Sequence, residues 1–481
     1  MQPFPDNIAL FFSECYNMYG DTMLYDFIAA DKNAAVPMYR QIYQSIRESI
    51  ENGSLKKDAR LPSIRGLCES LKVSKTTVIT AYDQLCAEGY IVNQPQRGFF
   101  VAADFRSRPA AYEAESNHSE KELKYYEYDF STQSIDEEII KHSVWKKEIK
   151  DIINRSYLLT SYGDAQGEEA LRIALQKYAL GTRGVNSGVS NIVVGAGTQA
   201  VLCLLRSLLG EHQRVAMQRA SFVQAEYVIR SFGDEIVYFD TDEDGVTIDS
   251  LETIRPQVII INPNFSGQSG KNMPVTRRLE LIRWASEHNA LIVEDDYNGE
   301  LRYSTHPMPC VQNYGVEQTV YIGSFSKVLL PSVRISYMVL PPFLQKKYEA
   351  VKGFLNQTAS KTEQLALAAY IRSGKIDSHI RKARRIYLEK SRVTLDALNR
   401  HFPDSTRLFN ETSMYVSVRL PFQPDREAID RELKENLMRV MPCQNAGNEF
   451  GISFSGIPID KIEEGIALLS RIIRKNTTAR R

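Results

Sequence analysis

Lys327 stands in the segment GSFSKVLLPSVR, with Ser324 and Ser326 just before it and Arg334 seven residues after it. One amine, two hydroxyls and a guanidinium fork suit an aldehyde that carries a phosphate. The amine, kept uncharged by its surroundings, attacks the carbonyl, while the hydroxyls and the guanidinium take the dianion. Upstream, ALIVEDDYNGELRY has an apolar run, Leu291 to Val293, that leads into Glu294, Asp295, Asp296 and Tyr297. The run predicts a strand with acids at its carboxyl end, the edge where open α/β sheets bind ligands. A carboxylate against a pyridine nitrogen keeps it protonated, so the ring withdraws electrons; Asp295 is assigned there and Tyr297 to the ring hydroxyl. Together these residues suit pyridoxal 5'-phosphate.

Further upstream, NIVVGAGTQAVLCLLRSLL reads as a buried strand, a glycine-containing turn and an apolar helix that opens on Gly197, Thr198 and Gln199. The free N–H groups and partial positive charge of such a helix start bind phosphate. Phe222, after the strand-like run RVAMQ, either stacks on the cofactor ring or belongs to the core.

In this order and spacing the segments resemble the fold-type I aminotransferases, from about Asp129 to the C-terminus. YGDAQGEEALRIALQKY, from Tyr162, is similar to that family's segment before its phosphate turn. The resemblance implies an α/β fold of the PLP-dependent transferase fold type I, with a smaller C-terminal α+β subdomain. It also implies Lys327 as the covalent anchor, Asp295 on the ring nitrogen, Tyr297 on the ring oxygen, and Gly197, Thr198, Ser324, Ser326 and Arg334 around the phosphate. Two departures stand out. INPNFSGQSG, with Gly267, Gln268, Ser269 and Gly270, replaces the family's Asn or aromatic before Pro-Thr-Gly, so one ring-oxygen ligand is missing. In NEFGISFSG, Gly451 falls where the family has an arginine that forks onto a substrate carboxylate, which weighs against efficient transamination. Arg419 either substitutes for it or is a solvated strand residue.

The other end carries a different pattern. Ile42, Ile46 and Ile50 repeat at helical spacing and Gly53 ends that helix; Ser63 caps a second helix through Leu71; Lys72 to Ser74 form a turn. A third helix runs from about Lys75 to Glu88, Gly89 closes it, and Tyr90 to Val101 alternate around Pro95 and Gly98 as a two-stranded wing. These elements predict an α+β winged helix–turn–helix that binds double-stranded DNA. Ser74, Lys75, Thr76 and Thr77 begin the recognition helix, Arg65 lies on the helix before it, and Arg97 and Gly98 tip the wing. The stretch looks like the GntR family of bacterial regulators, with LPSIR, VSKTTV, AYDQL and EGY as the recurring elements. Asp58 stands where that family often has Gly, so the turn before Arg60 is expected to differ. Between Pro37 and Ala103 nine Lys or Arg face six Asp or Glu, an excess small enough that DNA binding calls for two copies acting together.

A winged helix joined to an aminotransferase-like body is the arrangement of the MocR subgroup of GntR regulators, which the chain resembles over nearly its whole length. That resemblance implies a homodimer whose cofactor site is completed by both subunits. The organisation reads as an extension over residues 1–36, the winged helix over 37–103, a polar linker over 104–128 and the body over 129–475. Residues 1–36 are apolar and aromatic enough for a packed helix. HIRKARRIYLEKSR, from His379, is either a solvated face or a secondary DNA track. The six cysteines follow no CxxC spacing and read as reduced thiols, with neither disulfide nor metal site, and no apolar run is long enough to span a membrane; a cytoplasmic protein is expected. The function these features predict is a regulator that senses pyridoxal phosphate, or an amino acid or amine that reacts at the cofactor. A working aminotransferase with a DNA-binding head, and a dimer whose body binds no cofactor, are the competing classes.

Overall fold

The computed structural model describes residues 36–102, 126–131, 134–136, 142–219, 222–264, 272–302, 308–442 and 448–476, and residues 28, 31, 34, 138 and 139. They form two compact units, residues up to 102 and residues from 126 on.

In the first unit, helices α1 (Met38–Glu51), α2 (Ile64–Leu71) and α3 (Lys75–Ala87) are followed by strands β1 (Ile91–Gln94) and β2 (Gly98–Val101). Ile42, Ile46 and Ile50 bury one stripe of α1 against Leu67, Val78 and Tyr82. Ser63 caps α2 by accepting the Gly66 N–H at 3.0 Å, and Ser74 caps α3 by accepting that of Thr77 at 3.2 Å. β1 and β2 pair antiparallel, Ile91 opposite Val101 and Gln94 opposite Gly98, whose φ of 104 suits the tip of the wing. Asp58 takes the left-handed conformation, φ 64, that a glycine would adopt freely and Asp tolerates. From there Asp58 and Leu61 donate to the carbonyls of Val101 and Phe99, so the chain entering α2 borders the wing. The turn thus keeps the glycine-like backbone without the glycine. Of residues 1–36, only 28, 31, 34 and 36 are described; Ile28 is buried in the core of this unit, and the helix expected there lies outside the described residues.

The second unit is built on a seven-stranded sheet of β4 (Ile192–Gly195), β5 (Arg214–Met217), β6 (Glu235–Tyr238), β9 (Val258–Ile261), β10 (Leu291–Asp296), β11 (Thr319–Ser324) and β12 (Ser336–Val339), in the order β4-β12-β11-β10-β9-β5-β6. A short β7–β8 pairing (Thr241–Asp242 with Gly245–Val246) lies outside that sheet. Apart from β12, which is antiparallel to both neighbours, the paired strands are parallel. Their near-continuous apolar runs fit a sheet covered on both faces. A second, five-stranded sheet joins β13 (Thr406–Leu408), β14 (Tyr415–Arg419), β16 (Glu449–Ser453), β15 (Met438–Pro442) and β3 (Tyr128–Phe130). Tyr128, the last residue of the expected linker, is thus the first of a strand. The body is an α/β unit with a smaller α+β part at its C-terminal end. Among the described residues no helix is long and apolar enough to cross a membrane.

The long helix Lys375–His401 departs from the solvated face expected of it. Lys382 donates to the Glu138 carbonyl, Arg384 to that of Glu300, and Lys390 is buried in an ion pair with Asp136. Two of its cations, Arg384 and Lys390, therefore turn inward because burial of the helix brings a carbonyl and a carboxylate to them. Arg381, Arg385 and Arg392 remain exposed.

Candidate functional site

The acidic run is part of β10 itself, because parallel pairing with β11 continues through Asp295 opposite Ile322 and Asp296 opposite Gly323. Alternation along the strand then gives neighbouring acids opposite fates. Asp296 faces inward, where Arg183 reaches it at 2.6 Å, Asn264 at 2.6 Å and the Tyr321 hydroxyl at 2.9 Å. Glu294, on that same face, accepts the Val311 and Gln312 N–H groups. Asp295, on the other face, is 5% exposed, and its Oδ1 has no hydrogen-bond partner among the described residues. Burial, with the charge of Asp296 adding, pushes its carboxyl up to about 7. A buried acceptor without a donor costs stability, so Asp295 suits a ligand N–H.

One level further, the register sets Gly195 opposite Ser336 and Ser336 opposite Ser324, on the face of the sheet that carries Asp295. The hydroxyls join across the strands: Ser336 donates to Ser324 at 3.0 Å, and Thr198 and Ser336 lie 3.4 Å apart. Thr198 begins the helix Thr198–Leu208, with Gly197 at its cap. Between β11 and β12 the chain loops out through Lys327 and is closed by the Phe325 N–H on the Ile335 carbonyl. Ser326 donates its N–H to the Ser324 hydroxyl, and Arg334, at the far end of the loop with φ 51, folds its guanidinium against Gly197. A helix start, a row of hydroxyls and a guanidinium thus converge, an arrangement that can hold an anion.

Lys327 is half-buried, and burial pulls its amine down to about 8, so an appreciable neutral fraction is present near neutrality. It lines a cavity of about 80 Å³ together with Tyr297, Asn298, Ser413, Tyr415 and Ser453. Burial and the neighbouring Tyr415 hold the Tyr297 phenol above its ordinary range. Gln199 is exposed on the first turn of its helix, and Phe222 packs on the apolar cluster that contains Val193 and Ile322. Gly451 lies on β16 opposite Ser417 and Met441. Arg419 is largely exposed and ion-paired with Glu449, which favours the solvated reading over that of a carboxylate clamp. Gly267, Gln268, Ser269 and Gly270 lie outside the described residues.

Three supporting residues escaped the sequence reading. Ser336 bridges the hydroxyl row, Thr358 accepts the Ala196 N–H at 3.0 Å beside the phosphate-type turn, and His379 donates Nε2–H to the Val328 carbonyl at 2.6 Å, next to Lys327. Burial lowers the His379 pKa and so favours the neutral ring.

In the first unit, Lys75 and Thr76 are exposed at the start of α3, while the Ser74 and Thr77 hydroxyls, 2.8 Å apart, are engaged in the cap. Arg65 is exposed and pairs with Glu69 one turn on. Arg97 extends over the Phe100 ring, 5.5 Å from its centroid, which presents a cation on the wing beside Gly98.

The description "Bacterial regulatory proteins, gntR family" matches residues 38–101. An uncharacterized HTH-type transcriptional regulator, YdeL of Bacillus subtilis strain 168, is 32% identical over 451 residues, 90% of this chain and 96% of the relative. The probable rhizopine catabolism regulatory protein MocR of Rhizobium meliloti is 31% identical over 395 residues, 78% of this chain and 80% of its own. Among solved structures, an archaeal alanine:glyoxylate aminotransferase superposes with a TM-score of 0.67 at 22% identity, covering 74% of this chain and 92% of its own, a likeness of fold. With a winged helix in one unit and an aminotransferase-like body in the other, the chain belongs to the MocR-type subgroup of the GntR family of bacterial transcriptional regulators.

Proposed function

We propose that the body holds pyridoxal 5'-phosphate through Lys327, and that an effector meeting the cofactor there sets how strongly paired winged helices occupy an operator. The observation that carries this reading is the buried Asp295 Oδ1, which lacks a donor among the described residues and which a protonated ring nitrogen would satisfy. Gly197, Thr198, Ser324, Ser326 and Arg334 would hold the phosphate, with Gln199 at the same helix start; Tyr297 would face the ring oxygen and Phe222 the ring. When bound, the cofactor supplies an aldehyde carbon at which primary amines exchange, on a ring that withdraws electrons. Lys327 contributes an amine whose proton is readily lost, and Asp295 holds the proton at the ring nitrogen.

A second copy of the chain is the proposed partner. Tyr162 and Phe354 are exposed, and the segments that carry them are tied together by Lys361 Nζ on the Ser161 hydroxyl and Gln357 Nε2 on the Asp164 and Ala165 carbonyls. Thr358, bonded to Ala196, places this exposed patch next to the anion-holding turn. Two winged helices would sit on paired half-sites, held there by Lys75, Thr76 and Arg97. The effector is pyridoxal phosphate itself, or an amino acid or amine.

Absorbance and borohydride labelling test the cofactor reading. Wild-type protein saturated with pyridoxal phosphate should show a visible band and, after reduction, a label on Lys327; Lys327→Ala should show neither. Colourless, unlabelled wild-type protein would sink it.

A further inference from the structure

The cavity beside Lys327 is walled by hydroxyls, those of Thr412, Ser413, Tyr415, Ser453 and Ser455. Several are fixed by the fold: Ser413 donates to the Tyr415 carbonyl at 2.8 Å, Thr412 to Asn410 Oδ1 at 2.8 Å, and the Ser453 and Ser455 oxygens lie 3.1 Å apart. Lys327 is the one cation lining this cavity among the described residues, and it is the group that anchors the cofactor. Cations on neighbouring segments have partners of their own. Arg302 faces Glu411 at 3.4 Å, Lys390 reaches the Ser455 carbonyl at 3.3 Å but pairs with Asp136, and Arg419 pairs with Glu449. A side chain at Gly451 would crowd Met441. A Cβ there would meet Met441 Cβ at 3.1 Å and Sδ at 3.3 Å, and Met441 itself lines the cavity.

A carboxylate brought into such a wall would surrender its hydration with only the displaced Lys327 amine, itself weakened as a cation by burial, as counter-charge, whereas hydroxyl or amide groups exchange water for the hydroxyls on roughly even terms. We propose that the cavity selects a primary amine whose other polar groups are uncharged, an amino alcohol or amino amide rather than an amino acid. This rests on the cofactor reading above. The ligand's amine displaces that of Lys327 at the cofactor's aldehyde carbon: the bond from that carbon to Nζ breaks and the bond to the ligand's nitrogen forms. The two hydrogens of the ligand's amine end on Nζ, and nothing is oxidised or reduced. Met441 is a specificity residue, because it occupies the wall where a cation would otherwise receive a carboxylate.

Three probes of nearly equal size decide the matter: L-alaninol, L-alaninamide and L-alanine, titrated into full-length protein loaded with pyridoxal phosphate and freed of excess, with heat of binding and change in the visible band as readouts. The alcohol and the amide should half-saturate at concentrations at least about tenfold below that of alanine. Met441→Arg, checked for loading by its visible band, should narrow or reverse that order, and Met441→Leu should keep it. Alanine binding as well as or better than the neutral pair, no response to either neutral probe, or an unchanged order in a loaded M441R protein would each overturn the proposal while leaving the cofactor reading intact. A wild-type protein with no visible band overturns the cofactor reading first and this inference with it.

Discussion

Arg334 and Gly197 are in contact at the turn that opens the helix Thr198–Leu208: a Cβ on Gly197 would stand 2.5 Å from the Arg334 Nη2 and 3.0 Å from its Cζ. The glycine is doubly required, since its φ of 88 with ψ of 168 is also a conformation L side chains rarely adopt. Arg334 itself has φ 51, so it pays backbone strain to bring a guanidinium onto a helix start, while Gly197 meets it without strain.

Gly197→Ala should therefore weaken cofactor binding without unfolding the body. Strain of about 1–3 kcal/mol, relieved by moving either the turn or Arg334, corresponds to a loss of roughly five- to 150-fold in affinity. Titration with pyridoxal phosphate, followed by the visible band, measures it. An alanine variant that binds as tightly as wild type would remove this turn from the site.

Asp295 makes the stability of the cofactor-free body depend on pH. Its folded pKa, about 7, lies above the unfolded value of about 4, so its contribution is fully present below about pH 4 and is lost as pH rises through 7, at about 1.4 kcal/mol per unit in between. Asp295→Asn removes that titration, and the variant should lose less stability than wild type between pH 5 and pH 8. Both tryptophans, Trp145 and Trp284, belong to the body, so their fluorescence during urea unfolding reports on this unit. Parallel pH profiles for the two proteins would contradict a buried carboxylate whose Oδ1 lacks a donor among the described residues.

Local signals were sufficient where chemistry and conformation are set by neighbours in sequence. Ser63 read as a cap because the cap bond spans three residues, and the Ile42, Ile46, Ile50 stripe fixes a helix face by period alone; Ser74, read as the end of a turn, proves to cap the next helix. The acidic run was legible as the carboxyl end of a strand, but the satisfaction of Asp296 was not, because its partners Arg183, Asn264 and Tyr321 come from distant segments. Ser336 was missed for the same reason: it matters only through antiparallel register with Ser324. The charged helix from Lys375 misled, since charge density predicts exposure and cannot show that Asp136 waits for Lys390. Asp58 ran the other way: a residue other than glycine kept the left-handed turn.

On the winged helix, Arg97 and Lys75 should act through phosphates. Replacing either with alanine should weaken binding to all DNA sequences alike and lower the slope of log affinity against log salt by about 1, with the unit still folded. Fluorescence anisotropy on a labelled duplex at several salt concentrations provides the measurement. A change confined to particular base pairs, with the slope unaltered, would reassign the residue from backbone contact to base reading.

The Arg183–Asp296 pair lies beneath the strand end that presents Asp295, and both side chains are fully buried. Arg183 also donates to the Met308 carbonyl at 2.8 Å and to Asn264 at 3.2 Å, so its removal leaves a carboxylate without its counter-charge and takes a donor from a carbonyl and an amide. Breaking a buried pair from one side costs about 3–5 kcal/mol because the surviving charge has no water to return to, whereas replacing both partners by apolar residues often costs far less. Arg183→Met should accordingly lower the unfolding midpoint of the body strongly, and adding Asp296→Leu should restore part of it, a coupling that tryptophan fluorescence in urea can resolve. Should Arg183→Met cost less than about 1 kcal/mol, the pair does not anchor the strand, and the position of Asp295 must be held by the sheet pairing with Ile322 alone.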